Sequence, residues 1–361
     1  MQNNNYPPSS ERPTPSLNNP EEVRLALQEW LPGALAVDRV DVSAIDIPEG
    51  NGMSNITVLF SVDCHKDGKT ERHNVVGRLQ ANGDKLTFPD YNLALQYAFM
   101  AWLEKQPQCP GPALLAEETS GRVLGTPFYL MLRTEGRVPT DTPSYHRDGW
   151  MVSLSAEQQR EMWLNGIDSM ASLHNLDTTT PDAQALIASY AFPKSLSEQL
   201  DYWEHYCRWA FDDKPTPSVI ARASAWLRAH QPPEQKLAFC WGDSRMPNVI
   251  FDSDNSDVAA LLDWEMLALG DPLQDLAWWI YLDELFSHGL GSARLPGLPD
   301  RETSCEHWAA ATGLDLGNLD YYLVFAGLRF GLIFARIMRN MGADDVALDN
   351  FVNQYLEQHL P

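Results

Sequence analysis

Positive charge is scarce in this chain. Against 49 Asp and Glu there are only 26 Lys and Arg in 361 residues, a formal net charge of −23. Nucleic acid and anionic membrane surfaces demand clustered Lys and Arg, so neither is an expected partner. The acidic excess admits a cationic ligand as well as the plainer reading of an acidic surface. Cysteine is sparse too. Cys64, Cys109, Cys207, Cys240 and Cys305 lie far apart without a CxxC pair, which argues against a disulfide framework or zinc site and for a reduced, cytoplasmic protein with buried thiols. No signal-like apolar block follows the start, and no run is expected to reach the eighteen apolar residues of a membrane span.

Core material, by contrast, is ample: 44% of residues are apolar and 10% aromatic. The length exceeds one ordinary domain and suggests two lobes. Residues 1–18, rich in Asn, Pro and Ser, read as a mobile tail. Asn19-Pro20-Glu21-Glu22 opens a helix with a capping side chain, Pro at the first position and acids at the positive dipole end. Strand character follows in 56–62 and 73–79, with Asp67-Gly68 as a hairpin turn. Just before lies Glu49-Gly50-Asn51-Gly52-Met53-Ser54-Asn55. There Gly50 and Gly52, with Ser54 and Asn55, let backbone amides close on an anion. A helix is expected over roughly 91–105, a buried strand over 128–132, and helices from Ser155, over 195–211 and over 218–230.

The most informative stretch runs from Phe239 to Glu265. Two apolar strands are each interrupted by a short polar loop, giving Trp241-Gly242-Asp243-Ser244-Arg245-Met246-Pro247-Asn248 and Leu262-Asp263-Trp264-Glu265. An Asp, an Asn five residues on and a second Asp fifteen further are what phosphoryl transfer needs. In this reading Asp243 orients the acceptor hydroxyl and receives its proton, while Asn248 and Asp263 hold Mg²⁺.

These loops, with Gly-Met-Ser-Asn at 52–55 and Leu-Gly-Asp-Pro at 269–272, resemble the aminoglycoside phosphotransferase and choline kinase superfamily. The likeness is to the kinase-like domains associated with acyl-CoA dehydrogenases and their free-standing bacterial relatives. The resemblance implies an α+β, protein-kinase-like bilobal fold: a small N-terminal lobe with an antiparallel sheet (19–134) and a larger, mainly helical lobe (135–361). It implies ATP and Mg²⁺ as cofactors, a small-molecule hydroxyl as acceptor, and a monomer or homodimer. The glycine loop and Arg78 would contact the nucleotide phosphates. Arg78 stands where the family has Lys, and Gln96 where a Glu pairs with it. Backbone groups of Leu132 and Thr134 would read the adenine edge. Asp271 would brace the catalytic loop, with Asp275 as a helix-start residue, and His174 would be structural. Trp241 replaces the usual His.

For the acceptor, Arg245, Glu265, Arg329 and Arg336 are candidate contacts. Arg329, Arg336 and Arg339 are expected to form a basic stripe or surface salt bridges. Three functions follow: a hydroxyacyl-CoA kinase, an aminoglycoside kinase, and a non-catalytic nucleotide-binding pseudokinase suggested by Arg78 and Gln96.

Overall fold

The structure, a computed structural model, describes residues 19–48, 54–83, 85–212 and 216–361. The tail 1–18 and the loop glycines Gly50 and Gly52 lie outside the described residues. The described chain divides into two compact units. One comprises residues 19–104 with Pro112–Thr134, the other Lys105–Gly111 with Glu135–Pro361.

The smaller unit is a sheet backed by a helix. Helix α1 (Pro20–Leu35) starts where Asn19 accepts from the amides of Glu21 and Glu22. It buries Val23, Leu27 and Leu31 against the sheet. Strands β1 (Arg39–Val42), β2 (Ile56–Lys66), β3 (Lys69–Leu79), β4 (Leu114–Glu118) and β5 (Phe128–Leu132) form an antiparallel sheet in the order β1-β2-β3-β5-β4. Asp67 and Gly68 both take positive φ, 51° and 73°, the backbone a tight two-residue hairpin requires. Alternate residues of β2 point inward, so Val58 and Val62 are fully buried. Helix α2 spans Leu93–Leu103, shorter than expected. Asn92 caps it through Leu95 N, while the Tyr91 hydroxyl accepts from the amides of Thr87 and Phe88.

The larger unit is built of helices with two short strand pairs. Helix α3 (Ala156–His174) carries a full capping box between Ser155 and Gln158. Then come α4 (Pro181–Ser189), α5 (Leu196–Phe211) and α6 (Ser218–Ala229). Strand β6 (Ala238–Cys240) pairs with β9 (Ala268–Gly270), and β7 (Val249–Phe251) with β8 (Val258–Leu261). Helices α7 (Leu273–Leu285), α8 (Arg301–Thr312), α9 (Leu319–Asn340), α10 (Asp344–Leu348) and α11 (Phe351–Glu357) complete it. Trp163, Trp278, Trp279 and Trp308 are fully buried, each a large apolar contribution to the core. Gly166 on α3 is needed there, since a Cβ would stand 2.6 Å from the Trp279 ring.

Helix α9 packs on α7 and is buried nearly all round. It corrects the expectation that no stretch approaches a membrane span: its mean hydropathy reaches 1.4 over one window, yet 89% of that window is buried inside the protein. A helix apolar on every face belongs in a core when other helices surround it.

Candidate active site

Strand β6 ends at Cys240, and the chain turns sharply into the Asp243 loop. The turn needs glycine: Gly242 has φ +89°, and a Cβ there would lie 2.2 Å from the Met266 carbonyl oxygen. The amides of Trp241 and Gly242 donate to the two carboxylate oxygens of Asp275, at 2.6 and 2.9 Å. Asp275 sits fully buried in the first turn of α7, where the helix dipole favours an anion. Trp308 Nε1 donates to His174 Nδ1 at 3.0 Å. That leaves the His174 proton on Nε2, 3.0 Å from Asp275 Oδ2. His174 is structural, as its sequence context suggested.

The expected roles of the two aspartates are therefore exchanged. Asp275 braces the catalytic loop. Asp271 instead accepts from Leu273 N and Gln235 N, and burial raises its carboxyl above the ordinary value. The side chain nearer the sheet end cannot reach the loop amides because it is closing the start of α7.

Asp243 is buried and held at both oxygens. Oδ2 accepts from Asn248 Nδ2 at 2.7 Å and from Arg245 Nε at 3.1 Å; Oδ1 accepts only from Trp278 Nε1, at 2.9 Å. Asn248 Nδ2 also reaches the Asp243 carbonyl, so the group Asn248 has left to offer a cation is its Oδ1. Asp263 is tied to the same place through its neighbour. Leu262 N donates to the Asn248 carbonyl at 2.8 Å, and the Leu262 carbonyl accepts from Trp241 Nε1 at 2.7 Å. Trp241 thus has a definite task in place of the family's histidine: it pins the strand end that presents Asp263. Asp263 itself has φ +65°, a left-handed conformation that costs a non-glycine residue and clusters at functional sites.

Among the described residues, no group of three or more His, Cys, Asp or Glu side chains is arranged to hold a metal. An amide oxygen and one carboxylate form the small donor set that suits Mg²⁺ when phosphate oxygens and water complete its octahedron. Glu265 follows in the same turn, half-buried.

Arg245 also pairs with Asp141, Nη1 to Oδ1 at 2.7 Å. Burial would lower the affinity of its guanidinium for a proton, but Asp141 and Asp243 outweigh this and hold it firmly charged. The loop bearing Asp141 is anchored by Asp283 of α7, which accepts from Tyr145 at 2.5 Å and from Arg294 at 2.5 Å, with His146 Nε2 3.1 Å away. Burial alone would raise the Asp283 carboxyl; His146, Arg294 and Tyr145 together hold it below the ordinary value.

In the smaller unit, Ser54 and Asn55 are buried immediately before β2. Arg78 lies opposite Tyr129 in the β3–β5 register and bonds Thr57 Oγ1 at 2.9 Å. Gln96 is buried rather than on the surface, and its Oε1 accepts from the Tyr129 hydroxyl at 3.3 Å. The two residues thus share Tyr129 as a neighbour. The amide of Leu132 is already given to the Ala113 carbonyl at 2.7 Å, so it cannot read an adenine edge as expected. Thr134 is half-buried at the end of the unit.

The basic stripe on α9 does not form. Arg329 is only 2% exposed and lies over the rings of Trp278 and Phe325, at 4.4 and 4.7 Å. Arg336 covers the Trp209 ring at 4.1 Å, and Arg339 pairs with Asp212 and Asp344. Seven-residue spacing gave the right helix face, but that face meets aromatic side chains. Sequence reasoning missed Trp278 and Asp141. Trp278 looks like any apolar helix residue, and Asp141 sits in an ordinary Thr-Asp-Thr-Pro turn.

A sequence model of the phosphotransferase enzyme family matches residues 89–311, more than half of the chain. Acyl-CoA dehydrogenase family member 11 of Homo sapiens is 26% identical over 251 residues, covering 65% of this chain and 30% of that protein. A probable acyl-CoA dehydrogenase of Arabidopsis thaliana is 25% identical over 306 residues, covering 80% of this chain and 35% of that protein. The chain spans about a third of the length of these relatives. Among solved structures, a Ralstonia eutropha chain provisionally described as an aminoglycoside phosphotransferase superposes with a TM-score of 0.68 at 20% identity, over 92% of this chain and 98% of that one. The aminoglycoside phosphotransferase APH(4)-Ia, solved with AMP-PNP and hygromycin B, gives 0.54 at 14% identity, over 92% and 97%. The fold is α+β and protein-kinase-like.

Proposed function

This chain belongs to the phosphotransferase enzyme family, and on that premise we propose that it transfers the γ-phosphoryl group of Mg²⁺-ATP to a hydroxyl of a small molecule. The observation that carries the proposal is the unequal occupancy of the Asp243 carboxylate. Oδ2 already accepts two donors and Oδ1 only one. Each carboxylate oxygen has about two acceptor directions, so Oδ1 keeps one for the acceptor hydroxyl. Asp243 orients that hydroxyl toward the phosphoryl group and takes its proton as transfer proceeds. Arg245, held on one edge by Asp141 and Asp243, turns its remaining N–H groups to the anionic substrate. Asn248 Oδ1 and Asp263 are the residues that would hold Mg²⁺, which when bound offsets the charge of the phosphates. Arg78 and Gln96 keep their proposed service to the nucleotide, and the intact set of Asp243, Asn248 and Asp263 favours catalysis over mere nucleotide binding.

Relatives named as acyl-CoA dehydrogenases make hydroxyacyl-CoA thioesters the first acceptors to test. The arginines of α9 lend that choice no support, being stacked or paired as described. Five free cysteines, four of them buried, suit a reducing, cytoplasmic setting. Purified protein should be screened with hydroxyacyl-CoAs, aminoglycosides, choline and sugars for acceptor-dependent ADP release, with and without Mg²⁺. Release that needs both acceptor and metal is expected; release indifferent to Mg²⁺ would count against the proposal.

A further inference from the structure

Arg329 is a cation buried without a partner. Its Nε and Nη2 have no hydrogen-bond acceptor, although it is only 2% exposed. Burial pulls its guanidinium down to about 10, which still leaves it charged near neutral pH. A buried, unbonded guanidinium is costly and calls for an explanation. Stability does not supply one, because an apolar side chain of similar volume would pack there at lower cost.

The explanation lies in what the charge covers. Its guanidinium carbon stands 4.4 Å from the centre of the Trp278 ring, a cation–π contact made stronger by the dry surroundings. The same indole donates its N–H to Asp243 Oδ1 at 2.9 Å. A cation over the ring face withdraws electron density and makes the N–H a better donor. It also fixes the indole plane, and so the direction of the hydrogen bond. Asp275 and Asp243 both feel the Arg329 charge through space, which offsets two carboxylates crowded under one loop.

We propose that Arg329 and Trp278 form a positioning pair for Asp243: the guanidinium holds the indole, and the indole holds Oδ1 in the attitude that receives the acceptor hydroxyl. The pair rests on the phosphotransfer reading for its purpose, though not for its geometry.

The test is independent of the acceptor. In protein labelled with ¹⁵N-tryptophan, the Trp278 indole signal is assigned by its loss in Trp278→Phe, and its hydrogen exchange is compared between wild type and Arg329→Met. The pair requires exchange to quicken about tenfold while the melting temperature stays level or rises. Unchanged exchange would overturn it. Arg329→Lys keeps the charge but loses the flat fork, and should give an intermediate rate. Should Arg329→Met not fold, Arg329→Lys decides alone, with an unchanged signal counting against the pair. As a functional arm, ADP release from Mg²⁺-ATP with water as acceptor should fall about tenfold in kcat in each single variant, with KM for ATP unmoved and the double variant no worse. Fully additive losses would contradict a shared action. Wild-type turnover in Asp243→Ala would sink the phosphotransfer reading itself, and the exchange measurement would still judge the pair.

Discussion

Two buried arginines flank Asp243, and they are kept charged by different means. Arg245 lies in the catalytic loop and spends its charge on two carboxylates within hydrogen-bond reach, Asp141 and Asp243. Arg329 lies on α9 and meets two aromatic faces, with no hydrogen bond at Nε or Nη2. The first is a paired ion whose removal strands its partners. The second is a cation whose removal relieves a desolvation cost. One aspartate is thus supported from a polar side that is expensive to break and from an aromatic side tuned for orientation.

The contrast can be broken most forcefully at Arg245. Arg245→Met should lower phosphoryl transfer about a hundredfold and also reduce the melting temperature, because Asp141 is left without its cation. Arg329→Met should reduce activity without that loss of stability, so a steady-state assay paired with calorimetry on both variants separates the regimes. Next in size is Asp275→Asn, which replaces an anion holding two loop amides. It should cost about 2 kcal/mol of unfolding free energy, measured by denaturant titration, and activity should fall with it. Asp141→Asn leaves Arg245 on Asp243 but frees its other edge, so turnover should drop about tenfold with little change in stability. The smallest effect concerns the anchor of the Asp141 loop. Because the folded-state Asp283 carboxyl lies below its ordinary 3.8, its contribution is present above that pH and lost as pH falls through the lower, folded value. The melting-temperature gap between wild type and Asp283→Asn should therefore narrow below pH 3.8.

Much of this architecture was legible because its signals are local. Asn19 and Ser155 announce helix starts, and Asp67-Gly68 announces a hairpin. The spacing of Asp243 and Asn248 brings their side chains within 2.7 Å. What sequence spacing could not give were partners distant in the chain. Trp278 and Asp141 stand 35 and 104 residues from the groups they serve. The exchange of duties between Asp271 and Asp275 has the same origin. Both lie at the start of α7, and only the packing of β6 against that turn decides which carboxylate meets the loop amides. The stripe of arginines on α9 failed for a related reason: helical periodicity states which residues share a face, whereas the chemistry of that face is set by what packs on it.

The most direct measurement of the central claim is acceptor-dependent ADP release by wild type and Asp243→Ala, made at saturating Mg²⁺-ATP alongside a nucleotide-binding titration of both. Loss of about a thousandfold in turnover, with nucleotide affinity retained, is the predicted result. Equal turnover in the two proteins would contradict the account.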